Sequence, residues 1–148
     1  PLDSACADIA VAFGFMHHLP THELRSRLMR ELVRIMRPGG LAAVSFWRFL
    51  DDARLASKAR AETAAALAYL EAAGTPVVLS GDDCLLGWQE CEPGAGSIRF
   101  CHHFTSREIE VLSSEATAEG ARLVARFRAD GRSGELNEYV IFRREAKE

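Results

Sequence analysis

The sequence predicts an α/β fold in which a partly parallel open sheet is completed by an antiparallel hairpin. Three observations predict it: an almost unbroken apolar run at residues 8–16, a second at residues 41–48 after a helical pattern, and two alternating segments near the C-terminus. Apolar runs without alternation are typical of strands buried on both faces of a parallel sheet. A strand, a helix and a second strand within about forty residues form a right-handed crossover unit of such a sheet.

The composition is that of an ordinary globular domain. The chain has 148 residues, of which 48% are hydrophobic and 26% charged, with a net charge of −3. These proportions exclude a disordered chain. No apolar run approaches the ~20 residues that span a bilayer, and no signal peptide is visible, so we expect a cytoplasmic protein with no membrane partner. The net charge neither favours nor excludes a nucleic-acid partner, although residues 21–37 carry five arginines against two glutamates.

The first helix is predicted over residues 21–37. Thr21 is a good N-cap, and the apolar residues Leu24, Leu28, Leu32 and Ile35 recur at helical spacing. Arg37-Pro38-Gly39-Gly40 ends the helix, because proline cannot continue it and glycine takes the backbone angles of a sharp reversal.

The remaining elements follow from caps and turns. Asp51 or Asp52 caps an alanine-rich helix over residues 51–73, and the capping box of Thr105-Ser106-Arg107-Glu108 opens a helix over residues 105–119. Residues 75–104 are predicted to be an irregular loop insertion. Residues 123–127 and 138–143 alternate as two strands around a turn at 130–134, which predicts a hairpin.

Two segments together resemble one superfamily. They are Asp8…His17-His18-Leu19-Pro20-Thr21 and Leu32…Arg37-Pro38-Gly39-Gly40-Leu41…Phe46-Trp47. This pattern resembles the fourth strand, following helix and fifth strand of class I S-adenosylmethionine-dependent methyltransferases. The resemblance implies a partial Rossmann-like methyltransferase sheet that holds the later strands and lacks the first ones. Residues 1–148 would then be the C-terminal half of a single methyltransferase domain, with strand 41–48 between strand 8–16 and the hairpin.

A second set of segments narrows the resemblance. It comprises Gly81-Asp82-Asp83-Cys84-Leu85-Leu86-Gly87-Trp88, Arg99-Phe100-Cys101-His102-His103-Phe104 and Asn137-Glu138-Tyr139-Val140-Ile141. In order and spacing it is similar to the wobble-uridine tRNA methyltransferases, which esterify the carboxylate of 5-carboxymethyluridine. The chain departs from that family at Gly87, where proline is usual, at Cys101, where tyrosine is usual, and in having no tryptophan near Glu138. The resemblance implies tRNA as a partner and allows an activating subunit.

The resemblance implies S-adenosyl-L-methionine as the cofactor. Phe13, Gly14 and Phe15 would form the wall beside its methionine part. The glycine-rich turn after the first strand and the acidic ribose ligand are not present in the sequence, and Gly94-Ala95-Gly96 follows no strand and precedes no helix. We therefore expect most of the cofactor site to lie outside this chain, and the chain alone to bind the cofactor weakly.

Methyl transfer to a carboxylate needs positioning more than a base, because the carboxylate is already ionised at neutral pH. Cations or donors that hold an anionic acceptor suit this reaction. His17, His18 and Arg99 are the predicted catalytic residues, and the histidine pair follows a parallel strand, where open α/β sheets place their ligands. A histidine pair in a surface loop and a solvated arginine are the alternative interpretations.

Asp82, Trp88 and His102 are the predicted substrate-binding residues, with a turn for Asp82 and core packing for Trp88 as alternatives. A zinc site formed by Cys84, Cys91, Cys101, His102 and His103 is a further alternative. Since these residues show no closely paired ligands, we expect no metal.

Two other functions stay open. A small-molecule O- or N-methyltransferase would share the same motifs and use residues 75–104 as a lid. A non-catalytic half-domain would instead bind a partner chain. In either case one edge of strand 8–16 is expected to pair with a missing N-terminal half or with a second copy of the chain.

Overall fold

The computed structural model describes residues 2–87 and 98–146. Its strands are β1 (Ala7–Ala12), β2 (Met36–Trp47), β3 (Asp83–Gly87), β4 (Ile98–His102), β5 (Ala121–Ala129) and β6 (Asn137–Arg144). Its α-helices are α1 (His22–Ile35), α2 (Ala53–Ala72) and α3 (Ser106–Ala118), and short 3₁₀ turns occupy Met16–His18 and Phe49–Asp51. No helix in the described part of the chain is both long enough and apolar enough to span a membrane.

The main sheet has the strand order β1-β2-β6-β5. β1 and β2 are parallel and are joined through α1, whereas β6 runs antiparallel to both β2 and β5. The predicted crossover unit, the C-terminal hairpin and the position of the second parallel strand between the first strand and the hairpin are therefore confirmed. The fold class predicted from the sequence is confirmed with them.

The first strand is shorter and less buried than expected. It ends at Ala12 rather than at residue 16, because Gly14 adopts a φ of +62° and the chain then turns into the 3₁₀ turn. One face of β1 packs on α1 through Ala10 and Ala12, but Ile9 is 68% and Val11 57% exposed. Burial of this strand on both faces is wrong for the described residues, since no described helix covers its second face.

The reversal predicted at Arg37-Pro38-Gly39-Gly40 is present, although it lies inside β2. The pairing of β1 with β2 passes from Ala7 opposite Met36 to Ile9 opposite Leu41, so the intervening residues bulge out of the ladder. Gly39 has a φ of +82°. A Cβ on Gly40 would lie 2.9 Å from the carbonyl oxygen of Arg37 and 3.0 Å from that of Asp8. Only glycine fits this close approach without a shift of the backbone.

Residues 75–104 are not wholly irregular. β3 and β4 pair as an antiparallel hairpin from Asp83 opposite His102 to Gly87 opposite Ile98. The expectation of an irregular insertion is therefore wrong for these ten positions. Each of the two strands has only five residues, and an alternation of polar and apolar residues this short is not recognised as a strand.

Two hydrophobic clusters hold the fold together. The larger lies between the main sheet and the helices α1 and α3, and its fully buried members include Phe46, Phe104, Phe142, Met29, Ile109 and Leu112. The smaller lies between α2 and the β3–β4 hairpin and contains Phe49, Ala59, Cys84, Leu86 and Cys101. The second cluster fixes the hairpin beside the C-terminal end of β2, where the candidate site lies.

Candidate functional site

A cleft of about 380 Å³ opens at the C-terminal ends of β1 and β2. Its described lining residues are Phe13, Gly14, His17, His18, Ser45, Trp47, Arg99, Asn137 and Tyr139. The carboxyl ends of parallel strands are where open α/β sheets place their ligands. The cleft therefore brings together the predicted catalytic residues and two of the three predicted cofactor-binding residues.

The wall formed by β1 is built on a strand that turns sharply. Gly14 donates its backbone N–H to Ser45 Oγ at 3.0 Å, which ties the turn to β2. The Phe13 ring packs edge-to-face on Tyr139 with centroids 5.7 Å apart, yet Phe13 remains 55% exposed. Phe15 is also exposed but is not among the described residues that line the cleft.

His17 is a neutral side chain in the wall of the cleft. It is buried between the rings of His18 and Trp47, whose centroids lie 4.1 Å and 5.0 Å away. Burial, followed by the nearby charges of His18 and Arg99, lowers the pKa of His17 to about 4. Its Nδ1 is buried and has no hydrogen-bond partner in the described part of the chain. His17 therefore does not supply positive charge at neutral pH.

His18 is oriented by the β3–β4 hairpin. Its Nδ1 donates to the carbonyl oxygen of Phe100 at 2.9 Å, an assignment that follows because a carbonyl can only accept. This hydrogen bond places the ring hydrogen on Nδ1 and leaves Nε2 with a lone pair when the ring is neutral.

Arg99 supplies the permanent positive charge of the cleft. Its guanidinium lies over the Trp47 ring, 5.9 Å from the centroid. Both residues also line a second cavity of about 210 Å³, whose other described walls are mainly apolar residues of β3, α2 and the segment before α2. Arg99 and Trp47 thus separate two adjoining cavities, and no carboxylate is among the described residues that line the larger one.

Of the predicted substrate-binding residues, Asp82 and His102 are not among the described residues that line this cleft. His102 is 4% exposed, and its two ring nitrogens contact Asp83 Oδ1 and Glu108 Oε2, each at 2.7 Å. Burial alone lowers the pKa of His102, but the hydrogen bonds with Glu108 and Asp83 outweigh it and raise the pKa. Asp82 is half-buried, and its carbonyl accepts from the His103 N–H at 2.8 Å. Trp88 lies outside the described residues.

Sequence reasoning assigned no role to four residues that line the cleft, Ser45, Trp47, Asn137 and Tyr139. They occupy alternate positions of β2 and β6, and the register places Ser45 opposite Tyr139 and Trp47 opposite Asn137. Residues at alternate positions of paired strands face the same side of a sheet. The register that pairs these two strands is not visible in the sequence.

The four described members of the alternative zinc set, Cys84, Cys101, His102 and His103, do not form a metal-binding group with one another. His102 is held by two carboxylates, and His103 Nδ1 accepts from the Leu50 N–H at 3.2 Å. Cys84 and Cys101 face each other across β3 and β4, while Cys91 lies outside the described residues. Cys101 instead lies beside His17 and His18, with the three ligand atoms within 4.8 Å of one another.

Comparison with known protein families supports the first resemblance. Residues 1–44 match the family described as methyltransferase domain. Over 47 residues the chain is 34% identical to tRNA (carboxymethyluridine(34)-5-O)-methyltransferase from Arabidopsis thaliana and 36% identical to tRNA (carboxymethyluridine(34)-5-O)-methyltransferase ALKBH8 from Macaca fascicularis. Each alignment covers 32% of this chain but only 12% and 7% of those proteins.

Solved structures with the same architecture cover nearly the whole chain. A SAM-dependent methyltransferase from Methanosarcina mazei superposes with a TM-score of 0.65 at 16% identity, over 99% of this chain and 63% of its own. The 1,6-didemethyltoxoflavin-N1-methyltransferase of Burkholderia thailandensis, solved with S-adenosylhomocysteine, gives 0.53 at 15% identity, over 97% and 46%. The chain therefore has the fold of SAM-dependent methyltransferases and spans under two thirds of these relatives.

Proposed function

We propose that this chain is part of an S-adenosylmethionine-dependent methyltransferase that methylates an anionic oxygen, the carboxylate of a modified wobble uridine in tRNA. The observation that carries the proposal is the cleft at the ends of β1 and β2. It combines the exposed wall of Phe13 and Gly14 with the guanidinium of Arg99, in a chain with the methyltransferase fold.

The Phe13–Gly14 wall suits the cofactor. The Phe13 ring is exposed. The backbone beside it carries no Cβ because residue 14 is glycine, which its positive φ favours. When bound there, S-adenosylmethionine supplies an activated methyl group. The residues of the chain then have to orient the acceptor and exclude water, which contributes several kcal/mol to lowering the barrier, on the order of 7 or more for well-aligned reactants.

The charges of the cleft favour an anionic acceptor. Arg99 is a permanent cation, and its positive potential contributes to the lowered pKa of His17. A neutral His17 accepts or donates a hydrogen bond and does not form an ion pair with the acceptor oxygen. Because a carboxylate is ionised at neutral pH, its methylation requires no general base, and no carboxylate or thiol is among the described residues that line the cleft.

Support for tRNA as the acceptor comes from the two relatives named above, which match 32% of this chain. Three of the five arginines at residues 21–37 are already paired and add little to it. Arg30 pairs with Glu115, Arg34 with Glu31, and Arg37 with Asp8. Paired surface arginines are a weaker site for phosphate contacts than unpaired ones.

The test uses protein that contains the whole methyltransferase fold. Arg99→Met keeps the packing on Trp47 and removes the charge, and His18→Ala removes the oriented imidazole. We expect both variants to lower turnover with the carboxylate acceptor by at least about tenfold while cofactor affinity, measured by calorimetry, changes little. Arg132→Met, in the exposed turn between β5 and β6, is the matched control. An equal loss of cofactor binding would remove both residues from the acceptor role.

A small-molecule acceptor is the second candidate, and the adjoining cavity of about 210 Å³ favours it. That cavity adjoins Trp47 and Arg99 and combines apolar walls with the side chains of Lys58 and Glu62, so it could hold a small molecule. Competition between bulk tRNA and small carboxylic acids for methyl transfer separates the two functions. Transfer to small acids alone, with no transfer to tRNA, supports the second candidate.

We also infer that the open edge of β1 is closed by further polypeptide, either an N-terminal half of the same fold or a second copy of this chain. β1 pairs on one side with β2, and on the other side it has no partner strand among the described residues. Ile9, Val11 and Phe13 are exposed beside this edge, and unpaired apolar edge strands associate readily. Light scattering on residues 1–148 alone is expected to show a dimer or a larger species. A stable monomer whose β1 amides exchange freely would contradict this inference.

A further inference from the structure

Three side chains with metal-binding atoms lie together at the cleft, and two of them, His17 and His18, line it. His17 and His18 come from the 3₁₀ turn after β1, and Cys101 comes from β4, more than eighty residues later in the sequence. Their ligand atoms lie within 4.8 Å of one another. Cys101 reaches the two histidines because the β3–β4 hairpin packs beside the turn that follows β1.

The two histidines are prepared in different ways. His18 donates from Nδ1 to the Phe100 carbonyl at 2.9 Å, so its Nε2 can act as a ligand. A metal-bound histidine almost always donates its other ring N–H in this way, which fixes the orientation of the ring. His17 is 7% exposed, and its Nδ1 is buried with no hydrogen-bond partner in the described ranges. Burying a polar atom without a partner is costly.

Cys101 completes the set as the third donor. It is fully buried at 0% exposure, although the other buried cysteine of the hairpin, Cys84, is not part of the cluster. Two imidazoles and one thiolate suit borderline ions such as Zn²⁺ and Co²⁺, whereas Mg²⁺ and Ca²⁺ prefer oxygen ligands. In a tetrahedral site with metal–ligand distances of about 2.0–2.3 Å, the ligand atoms lie about 3.5 Å from one another. Side-chain rotations that move the three ligand atoms by about 1 Å therefore bring them to these distances.

We propose that His17, His18 and Cys101 form a three-ligand site for Zn²⁺ whose fourth position opens to the cleft. Binding forms a metal–sulfur bond and releases the thiol proton of Cys101 to solvent. The thiolate reduces the charge of the bound ion to +1, which offsets the repulsion from Arg99 nearby. Together the ion and Arg99 hold an anionic oxygen ligand in the cleft. This site goes beyond the proposed methyl transfer and does not depend on it.

The experiment uses Co²⁺ as the spectroscopic probe, with no cofactor and no acceptor present. Purified protein stripped with a chelator is titrated with Co²⁺, and the absorption spectrum is recorded. We expect one equivalent to produce a thiolate-to-cobalt charge-transfer band and intense visible bands of tetrahedral Co²⁺, both bleached by one equivalent of Zn²⁺. Mg²⁺ is expected to bleach neither band.

Two variants locate the site. Cys101→Ser is expected to abolish the charge-transfer band, and Cys84→Ser, its matched control on the facing strand, is expected to keep it. Absence of the band from the wild-type protein, or its persistence in Cys101→Ser, would overturn the proposal. If Cys101→Ser does not fold, measurements on the wild-type protein still test whether Cys101 binds the metal. One equivalent of Zn²⁺ should then raise the melting temperature and slow the alkylation of Cys101 in partly denaturing urea, where the buried thiol becomes accessible. An unchanged melting temperature and an unchanged labelling rate at Cys101, followed by mass spectrometry, would refute the site.

Discussion

Replacement of His102 by Gln tests how the β3–β4 hairpin is held against the main domain. His102 contacts Asp83 on β3 and Glu108 on α3, both at 2.7 Å, and all three side chains are largely buried. Arg25 of α1 also contacts Glu108, at 3.0 Å. His102 therefore joins the hairpin, which carries Arg99 and the Phe100 carbonyl, to both helices of the core.

The expected loss of stability follows from these contacts. A hydrogen bond to a charged group contributes about 1.5–3 kcal/mol, and removal of one partner from a buried ion pair costs about 3–5 kcal/mol. A glutamine donates to one carboxylate but carries no charge. We expect His102→Gln to lower the free energy of unfolding by about 2–3 kcal/mol at pH 6, since one of the two carboxylates loses its hydrogen bond with the charged imidazole and keeps only Arg25 or Ser80 as a partner.

The pH dependence of this loss has a definite sign. The pKa of His102 is raised in the folded protein, so its stabilising effect is complete below the unfolded value of about 6.5 and is lost as the pH rises through the folded pKa. The difference between wild type and His102→Gln should therefore shrink to about 1 kcal/mol or less by pH 9. Unlike the absolute stabilities, this difference is not affected by other groups that titrate equally in both proteins.

Urea denaturation followed by circular dichroism at pH 6, 7.5 and 9 measures the difference. His22→Gln is the matched control. His22 lies 3.8 Å from Glu108 and 3.4 Å from Glu115, but its side chain is 49% exposed, so its loss should cost little. A loss for His102→Gln that is the same at pH 6 and pH 9, or below about 1 kcal/mol at pH 6, would refute an ion-paired His102.

Three further predictions concern the rest of the fold. Glu138→Gln should lower the free energy of unfolding by about 1.5–3 kcal/mol, because the buried Arg48 loses its charged partner at 2.8 Å and keeps only the ion pair with Asp51. Denaturation of Glu145→Gln, an exposed carboxylate, should show almost no change. Gly40→Ala should lower the melting temperature clearly, because the added Cβ meets two backbone oxygens, whereas Gly81→Ala, where nothing lies within 4 Å, should not. The free energy of unfolding of the wild-type protein should fall by up to about 3 kcal/mol as the pH falls from 6.5 to 4. The reason is that the pKa of His17 is about 4 in the folded protein, so the unfolded chain takes up the proton first. In metal-free urea denaturation, His17→Asn should show a smaller fall, and an equal fall would contradict the burial of a neutral His17.

Much of the fold was predictable because its signals are local. Thr21, Asp52 and Thr105 cap their helices as the sequence predicts, each accepting a backbone N–H three residues later. The reversal at Gly39 and Gly40 was predictable for the same reason. The position of the cleft also followed from the sequence, since ligands bind at the carboxyl ends of parallel strands.

The details of the site depended on long-range packing. His102 was expected to bind substrate, but the approach of β4 to α3 gives both of its ring nitrogens carboxylate partners. His17 was expected to serve as a cation or donor, but contact with Trp47 and His18 buries it and keeps it neutral. The grouping of Cys101 with the two histidines likewise requires the hairpin to dock beside the turn after β1. None of these contacts is encoded in a sequence spacing.

The most direct test of the central claim is transfer of a labelled methyl group from S-adenosylmethionine to a carboxylate. The protein with its whole methyltransferase fold is incubated with the labelled cofactor and with tRNA that carries 5-carboxymethyluridine, and the nucleosides are analysed by mass spectrometry. We expect label in a methyl ester that mild alkali removes, and its loss in Arg99→Met. Label in an alkali-stable position, or no transfer to any carboxylate by a folded protein that binds the cofactor, would contradict it.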